Sequence, residues 1–132
     1  MGLDNYIDVK RTQYSDKIPE LQKFNEPWDK DRKWDFTICY FRKCWNVRGA
    51  IFDATDHGKH MDNCICELNK NEIDRIIEAL GKFNADNWDD DLGSIWDWED
   101  VEDKMRQDID NLKELRKLMD KYNLEVIFVD SY

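Results

Sequence analysis

Basic and aromatic side chains are interleaved in TICYFRKCWNVRGAIF, residues 37–52, of an otherwise acidic chain. The candidate ligand-binding residues there are Tyr40, Arg42, Lys43, Trp45, Asn46 and Arg48. At a strand-to-helix junction, backbone N–H groups attract anions, and Arg or Lys adds charge and bidentate hydrogen bonds. The aromatic rings could stack on a base. The pattern suits a phosphorylated nucleotide; the alternative is that the cations pair with the acidic segment 86–110 of the same molecule.

Acidic residues are concentrated in the segment 86–110, where eleven Asp or Glu accompany two basic residues. This segment carries nearly the whole formal net charge of −10. A dense array of carboxylates can imitate nucleic-acid phosphates, and Trp side chains can anchor an interface. The candidate protein-binding residues are Trp88, Asp89, Asp90, Asp91, Trp96, Trp98, Glu99, Asp100 and Asp103. The alternative is a solvated helix face with Trp residues in the core.

Histidine and cysteine cluster in DHGKHMDNCIC, where His57, His60, Cys64 and Cys66 are of the types that bind zinc. Their spacing matches no standard zinc site, so we expect a loop with solvated His and core thiols, and no metal or cofactor. No Walker loop or hydrolase motif is present. We therefore expect no enzymatic activity, with a small enzyme of unknown reaction, for example one using Cys44 and His57, as the alternative.

Composition indicates one folded domain over 1–132, since 41% of the residues are hydrophobic and 13% aromatic. No apolar run approaches the roughly 18 residues of a membrane span, and the first residues lack a signal-peptide apolar region. We therefore expect a cytoplasmic protein with reduced thiols. The acidic balance argues against direct nucleic-acid binding through a basic face.

Hydrophobic periodicity predicts alternating strands and helices. Trp34, Phe36, Ile38 and Tyr40 alternate and are expected to share one face of a strand. A buried central strand is expected at 126–129, and Asn69 with Glu72 nearly forms a capping box. Strands are predicted at 3–10, 34–40, 64–68 and 126–129, and helices at 16–25, 43–55, 69–83 and 97–122. The predicted fold is a small α+β domain with a mixed or antiparallel sheet, three to four packed helices and one long acidic C-terminal helix.

Several short motifs resemble a family of small phage and prophage proteins that begin Met-Gly-Leu-Asp-Met-Tyr-Leu. The corresponding segments here are MGLDNYI, YFRKCWNVR, DNCICELNKNEI, IWDWEDVEDKMRQDIDNLKELRKLM and FVDSY. This chain has Arg48 where many such proteins carry His, which argues against an acid–base role at that position. The resemblance spans the chain and implies a phage context, but it says little about chemistry.

These patterns together predict a phage-encoded, non-enzymatic counter-defence protein in the cytoplasm of an infected host. Its expected partner is a host defence protein with a basic surface, bound through the acidic, Trp-bearing segment. The alternative is a sponge that sequesters a nucleotide second messenger at the cationic junction. The protein could assemble as a homo-oligomer in either of these roles.

Overall fold

The computed structural model of the protein describes residues 4–24, 35–55, 65–88 and 96–131. Three α-helices accompany four strands and two short 3₁₀ helices, Ser15–Lys17 and Pro19–Phe24. The strands are β1 (Asp4–Lys10), β2 (Asp35–Arg42), β3 (Ile65–Leu68) and β4 (Val126–Ser131). The α-helices are α1 (Trp45–Ala54), α2 (Lys70–Gly81) and α3 (Trp98–Lys121). The predicted order of elements is confirmed, with two 3₁₀ helices in place of the helix expected at 16–25.

The four strands form one antiparallel sheet in the order β2-β1-β4-β3. The α+β fold class is therefore confirmed. Strand β4 lies between two neighbours, as its continuous apolar run predicted, and Val126, Ile127 and Phe128 are all at most 4% exposed. Strand β2 is at one edge, which places the cationic junction at the rim of the sheet.

Strand β2 contains one residue more than its partner. Thr37 is paired with Asp8 and Cys39 with Ile7, so Ile38 is inserted as a β-bulge. A strand alternates its side chains between two faces, and one extra residue reverses that alternation for everything after it.

The bulge overturns part of the predicted strand pattern. Tyr40 does not share a face with Phe36; Cys39 and Phe41 do, and both are 2% exposed in the core. Tyr40 lies on the opposite face and stacks on Tyr6 of β1, with ring centroids 4.8 Å apart and 9° between the planes. The prediction for Tyr40 was wrong because a strict alternation assumes strand pairing without a bulge. Trp34, which was predicted to share the same face, lies outside the described residues.

Helices α1 and α2 have well-defined beginnings. The backbone of Lys43 has a φ of 54°, in the left-handed region that residues other than glycine rarely adopt. Helix α1 therefore begins at Trp45, two residues later than the predicted residue 43. In α2 the Asn69 side chain accepts the N–H of Glu72, and the Glu72 side chain accepts the N–H of Asn69. The capping box is therefore confirmed.

Helix α3 is 24 residues long and packs against α2 and the edge of β2. Its buried residues include Val101, Met105, Leu112, Leu115 and Met119, whose separations of three, four and seven positions place them on one face of a helix. Within the described residues, no helix has the length and apolar character needed to cross a membrane.

Candidate functional site

Helix α3 and Trp96, which precedes it, close the exposed edge of the sheet. An edge strand presents unpaired backbone groups, which proteins usually cover or protect. Three alternate carbonyls of β2 accept side-chain hydrogen bonds: Ile38 from Asn111 at 3.3 Å, Tyr40 from the Lys104 ammonium, and Arg42 from the Trp96 indole at 3.1 Å. These contacts hold α3 beside β2 and create the walls of a cleft between them.

The cleft between β2 and α3, here called the aromatic cleft, has a volume of about 250 Å³. Its walls include Phe41, Arg42, Trp88, Trp96, Asp100 and Met105. Arg42 comes from the predicted ligand-binding set, whereas Trp88, Trp96 and Asp100 come from the predicted protein-binding set. The structure therefore brings together parts of two sites that the sequence treated as alternatives.

The three tryptophans of the predicted protein-binding set differ in their exposure. Trp88 is 7% exposed and makes an edge contact with Phe83, with ring centroids 5.3 Å apart. Trp98 is half-buried, 5.7 Å from Trp88 between centroids, while Trp96 is 38% exposed. Trp88 and Trp98 are therefore largely core residues, and Trp96 offers the accessible aromatic surface.

Four carboxylates at the start of α3 point into solvent and are here called the acidic face: Asp97, Glu99, Asp100 and Asp103. Asp97 occupies the N-cap position but makes no side-chain capping hydrogen bond. No ion pair to these four is found among the described residues, whereas nearby Glu102 pairs with Arg106 at 2.5 Å. Asp89, Asp90 and Asp91 lie outside the described residues.

An ion pair between the exposed Lys104 and the buried Asp108 lines the cleft beside Met105. Lys104 Nζ lies 2.7 Å from Asp108 Oδ2, and Asp108 is 6% exposed. Burial raises the pKa of the Asp108 carboxyl, an effect that the Lys104 charge and hydrogen bond oppose. The Asp108 carbonyl accepts the Cys39 thiol at 3.5 Å, and burial raises the pKa of that thiol. Asp108 could not be identified from the sequence, since a carboxylate on an acidic helix gives no sign of being buried.

Arg48 does not balance the acidic segment, contrary to one of the two expectations for the cationic junction. Its guanidinium forms a bidentate pair with Asp130 of β4, with Nε–Oδ1 at 2.8 Å and Nη2–Oδ2 at 2.9 Å. Asn5 Nδ2 donates to the same Asp130 Oδ1 at 2.6 Å. The Asp130 carboxylate has no exposed surface. Arg48 is therefore a core cation whose partner is distant in sequence and could not be found by counting local charges.

The six residues of the predicted nucleotide site do not form one surface. Tyr40 faces Tyr6, whereas Arg48 reaches Asp130, which lies on the opposite face of the sheet because it pairs with Asn5. The Tyr40 hydroxyl donates to Asp4 at 2.7 Å, and burial and that carboxylate raise the pKa of Tyr40.

The other members of this set also have local roles. Asn46 accepts the backbone N–H of Val47 at 2.9 Å, Trp45 is 40% exposed and lies against the Arg48 guanidinium, and Lys43 occupies the strained turn. Arg42 is exposed and reaches the aromatic cleft. Arg42 is therefore the member of this set whose cation both is exposed and lines the cleft.

A second, wider groove of about 620 Å³ follows β2 and α3 beyond Lys104. It is lined by two lysines and three carboxylates: Lys23, Lys104, Asp108, Asp110 and Glu114. Lys23 pairs with Glu114 and Lys104 with Asp108. Since its cations are already neutralised by acids, this groove is poorly suited to a phosphate group.

Most of the predicted zinc ligands cannot be placed. His57, His60 and Cys64 lie outside the described residues, and Cys66 is a thiol in β3 with 4% exposure. Within the part of the chain that the structure describes, no group of three potential ligands converges on a common point.

Comparisons with protein-family models, with curated proteins and with solved structures found no match for this chain. The phage-family resemblance of the motifs therefore stays a prediction.

Proposed function

We propose that the protein is a non-enzymatic binding protein that inhibits a basic host protein through its acidic face. The phage setting is what the motif resemblance implies, and the counter-defence role is proposed from the dense array of carboxylates, which can imitate nucleic-acid phosphates. The observation that carries the proposal is the exposure of Asp97, Glu99, Asp100 and Asp103 within two turns of one helix. Two carboxylates in a first turn would satisfy the helix dipole. Four exposed ones exceed what local helix stability requires.

The charge density of this face is comparable to that of a nucleic acid. Positions 97 to 103 span about 9 Å along a helix that rises 1.5 Å per residue. Duplex DNA carries roughly one charge per 1.7 Å of axis, or about five charges over that length. Four carboxylates in the same distance can therefore engage a groove lined with Lys or Arg, and that attraction should weaken as salt rises.

The first experiment identifies the partner and then tests the face that binds it. The tagged protein is recovered from phage-infected host cells, and native mass spectrometry is used to look for a host protein in fixed stoichiometry. The dissociation constant is then measured with the triple variant Glu99→Gln/Asp100→Asn/Asp103→Asn at two salt concentrations. Exposed ion pairs contribute about 0.2–1 kcal/mol each, so we expect affinity to fall by about ten-fold.

A matched variant separates local charge from net charge. Asp16→Asn/Glu78→Gln/Glu125→Gln removes the same number of charges from exposed positions elsewhere. This control should bind normally. Equal loss in both variants would show that bulk charge, not the acidic face, attracts the partner. A phosphorylated adduct in place of a protein would instead support the nucleotide sponge.

A further inference from the structure

Both indole N–H groups in the walls of the aromatic cleft already have hydrogen-bond acceptors within the protein. The Trp88 indole donates to the Trp96 carbonyl at 2.8 Å, and the Trp96 indole donates to the Arg42 carbonyl at 3.1 Å. These bonds fix the two rings before anything binds. A preformed apolar surface of this kind loses little entropy when it receives a partner group.

The size of the cleft limits what it can hold. Pockets for small molecules and cofactors usually measure about 300–1,000 Å³, and this one is about 250 Å³. An apolar cavity of roughly 150 Å³ is already large enough for benzene. One aromatic or large aliphatic side chain therefore fits the cleft, whereas a nucleotide exceeds it.

The cleft is continuous with the acidic face, since Asp100 belongs to both. We infer that the aromatic cleft receives one large apolar side chain of the partner, while Lys or Arg residues beside it bind the acidic face. This inference rests on the proposed function and specifies its partner: a basic segment with a central apolar anchor. Such an arrangement has an apolar centre and a charged rim, as in many protein interfaces.

Two synthetic peptides test the anchor. Lys-Arg-Phe-Arg-Lys and Lys-Arg-Ser-Arg-Lys carry equal charge and differ in the central residue. Each is titrated into the ¹⁵N-labelled protein, and the indole N–H signals of Trp88 and Trp96 are followed by NMR. Burial of a Phe side chain predicts binding about ten-fold or more tighter for the Phe peptide, with both indole signals shifting. The Ser peptide should leave those signals in place.

Two kinds of variant separate the cleft from the acidic face. Val101→Trp fills the cleft and should abolish the preference for the Phe peptide. If this variant does not fold, Trp96→Ala removes a half-exposed wall of the cleft and should abolish the same preference. Glu99→Gln/Asp103→Asn should weaken both peptides by the same factor and leave the preference intact.

The outcomes distinguish the two proposals. Equal affinity for both peptides, with loss of binding in the charge variant, would overturn the cleft inference and leave the acidic face standing. A Phe preference together with affinities that do not fall in the charge variant would overturn the proposed function and with it the basic partner. Absence of binding by either peptide would overturn both.

Discussion

Replacing Arg48 by Met should destabilise the protein strongly, because it leaves the carboxylate of Asp130 buried without its cation. The Arg48 side chain is 13% exposed, and the Asp130 side chain is completely buried. Two nitrogens of the guanidinium lie within 3 Å of the two carboxylate oxygens. Two charges about 4 Å apart at an effective dielectric of about 20 attract by about 4 kcal/mol. Removing one partner of a buried pair costs about 3–5 kcal/mol in practice.

Urea unfolding at pH 7, followed by circular dichroism, measures this loss. We expect the free energy of unfolding to fall by about 3–5 kcal/mol, a large part of the roughly 5–15 kcal/mol typical of a small domain. The slope against urea concentration should stay constant if the folded state keeps its packing. Arg106→Met, which breaks the exposed pair with Glu102, is the control and should cost less than about 1 kcal/mol.

The double variant Arg48→Met/Asp130→Asn isolates the charge effect. The new amide can still accept from Asn5 Nδ2, but it carries no charge, so at least half of the lost stability should return. Two results would refute the reasoning: a loss below about 1 kcal/mol in Arg48→Met, or a double variant as unstable as the single one.

Two further predictions concern Asp108 and the cap of α2. Burial raises the pKa of Asp108, so the folded state holds the carboxyl proton more tightly than the unfolded chain does. The protonated carboxyl therefore contributes to the free energy of unfolding. This contribution is fully present below pH 3.8 and is lost as pH rises through the folded-state pKa. Asp108→Asn should therefore gain stability relative to the unmodified protein between pH 3 and pH 7 in paired urea titrations, and the opposite trend would contradict the burial argument. Asn69→Ala should cost about 1 kcal/mol by loss of the capping box. Asn71→Ala, at an exposed position of the same helix, should stay within about 0.5 kcal/mol, and equal effects of the two would rule out the cap as the cause.

Local patterns in the sequence were sufficient for the elements of the fold. Periodicity located four strands and the three α-helices, because burying an apolar face imposes a repeat that can be counted along the chain. The cap of α2 was readable for the same reason, since Asn69 and Glu72 are only three residues apart. The inserted residue Ile38 was not readable, because a bulge appears only when β2 is paired with β1.

The candidate site was only partly readable. The sequence identified the acidic segment and Trp96, but it gave no reason to distinguish Trp96 from Trp88. Trp88 is buried in the core, whereas Trp96 lies at the surface. It also could not show that Arg42 and Asp100 line one cleft. Those contacts connect residues more than fifty positions apart.

The sequence by itself determined the fold class, the position of most elements and the concentration of charge at the start of α3. These properties depend on residue types within a few positions of one another. Only the tertiary structure decided that Arg48 pairs with Asp130, that Tyr40 faces away from the core, and that an aromatic cleft lies beside the acidic face. Each of these three features depends on contacts between residues that are distant in sequence. Burial and hydrogen bonding in the folded protein select these partners, and the sequence contains many other residues of the same types.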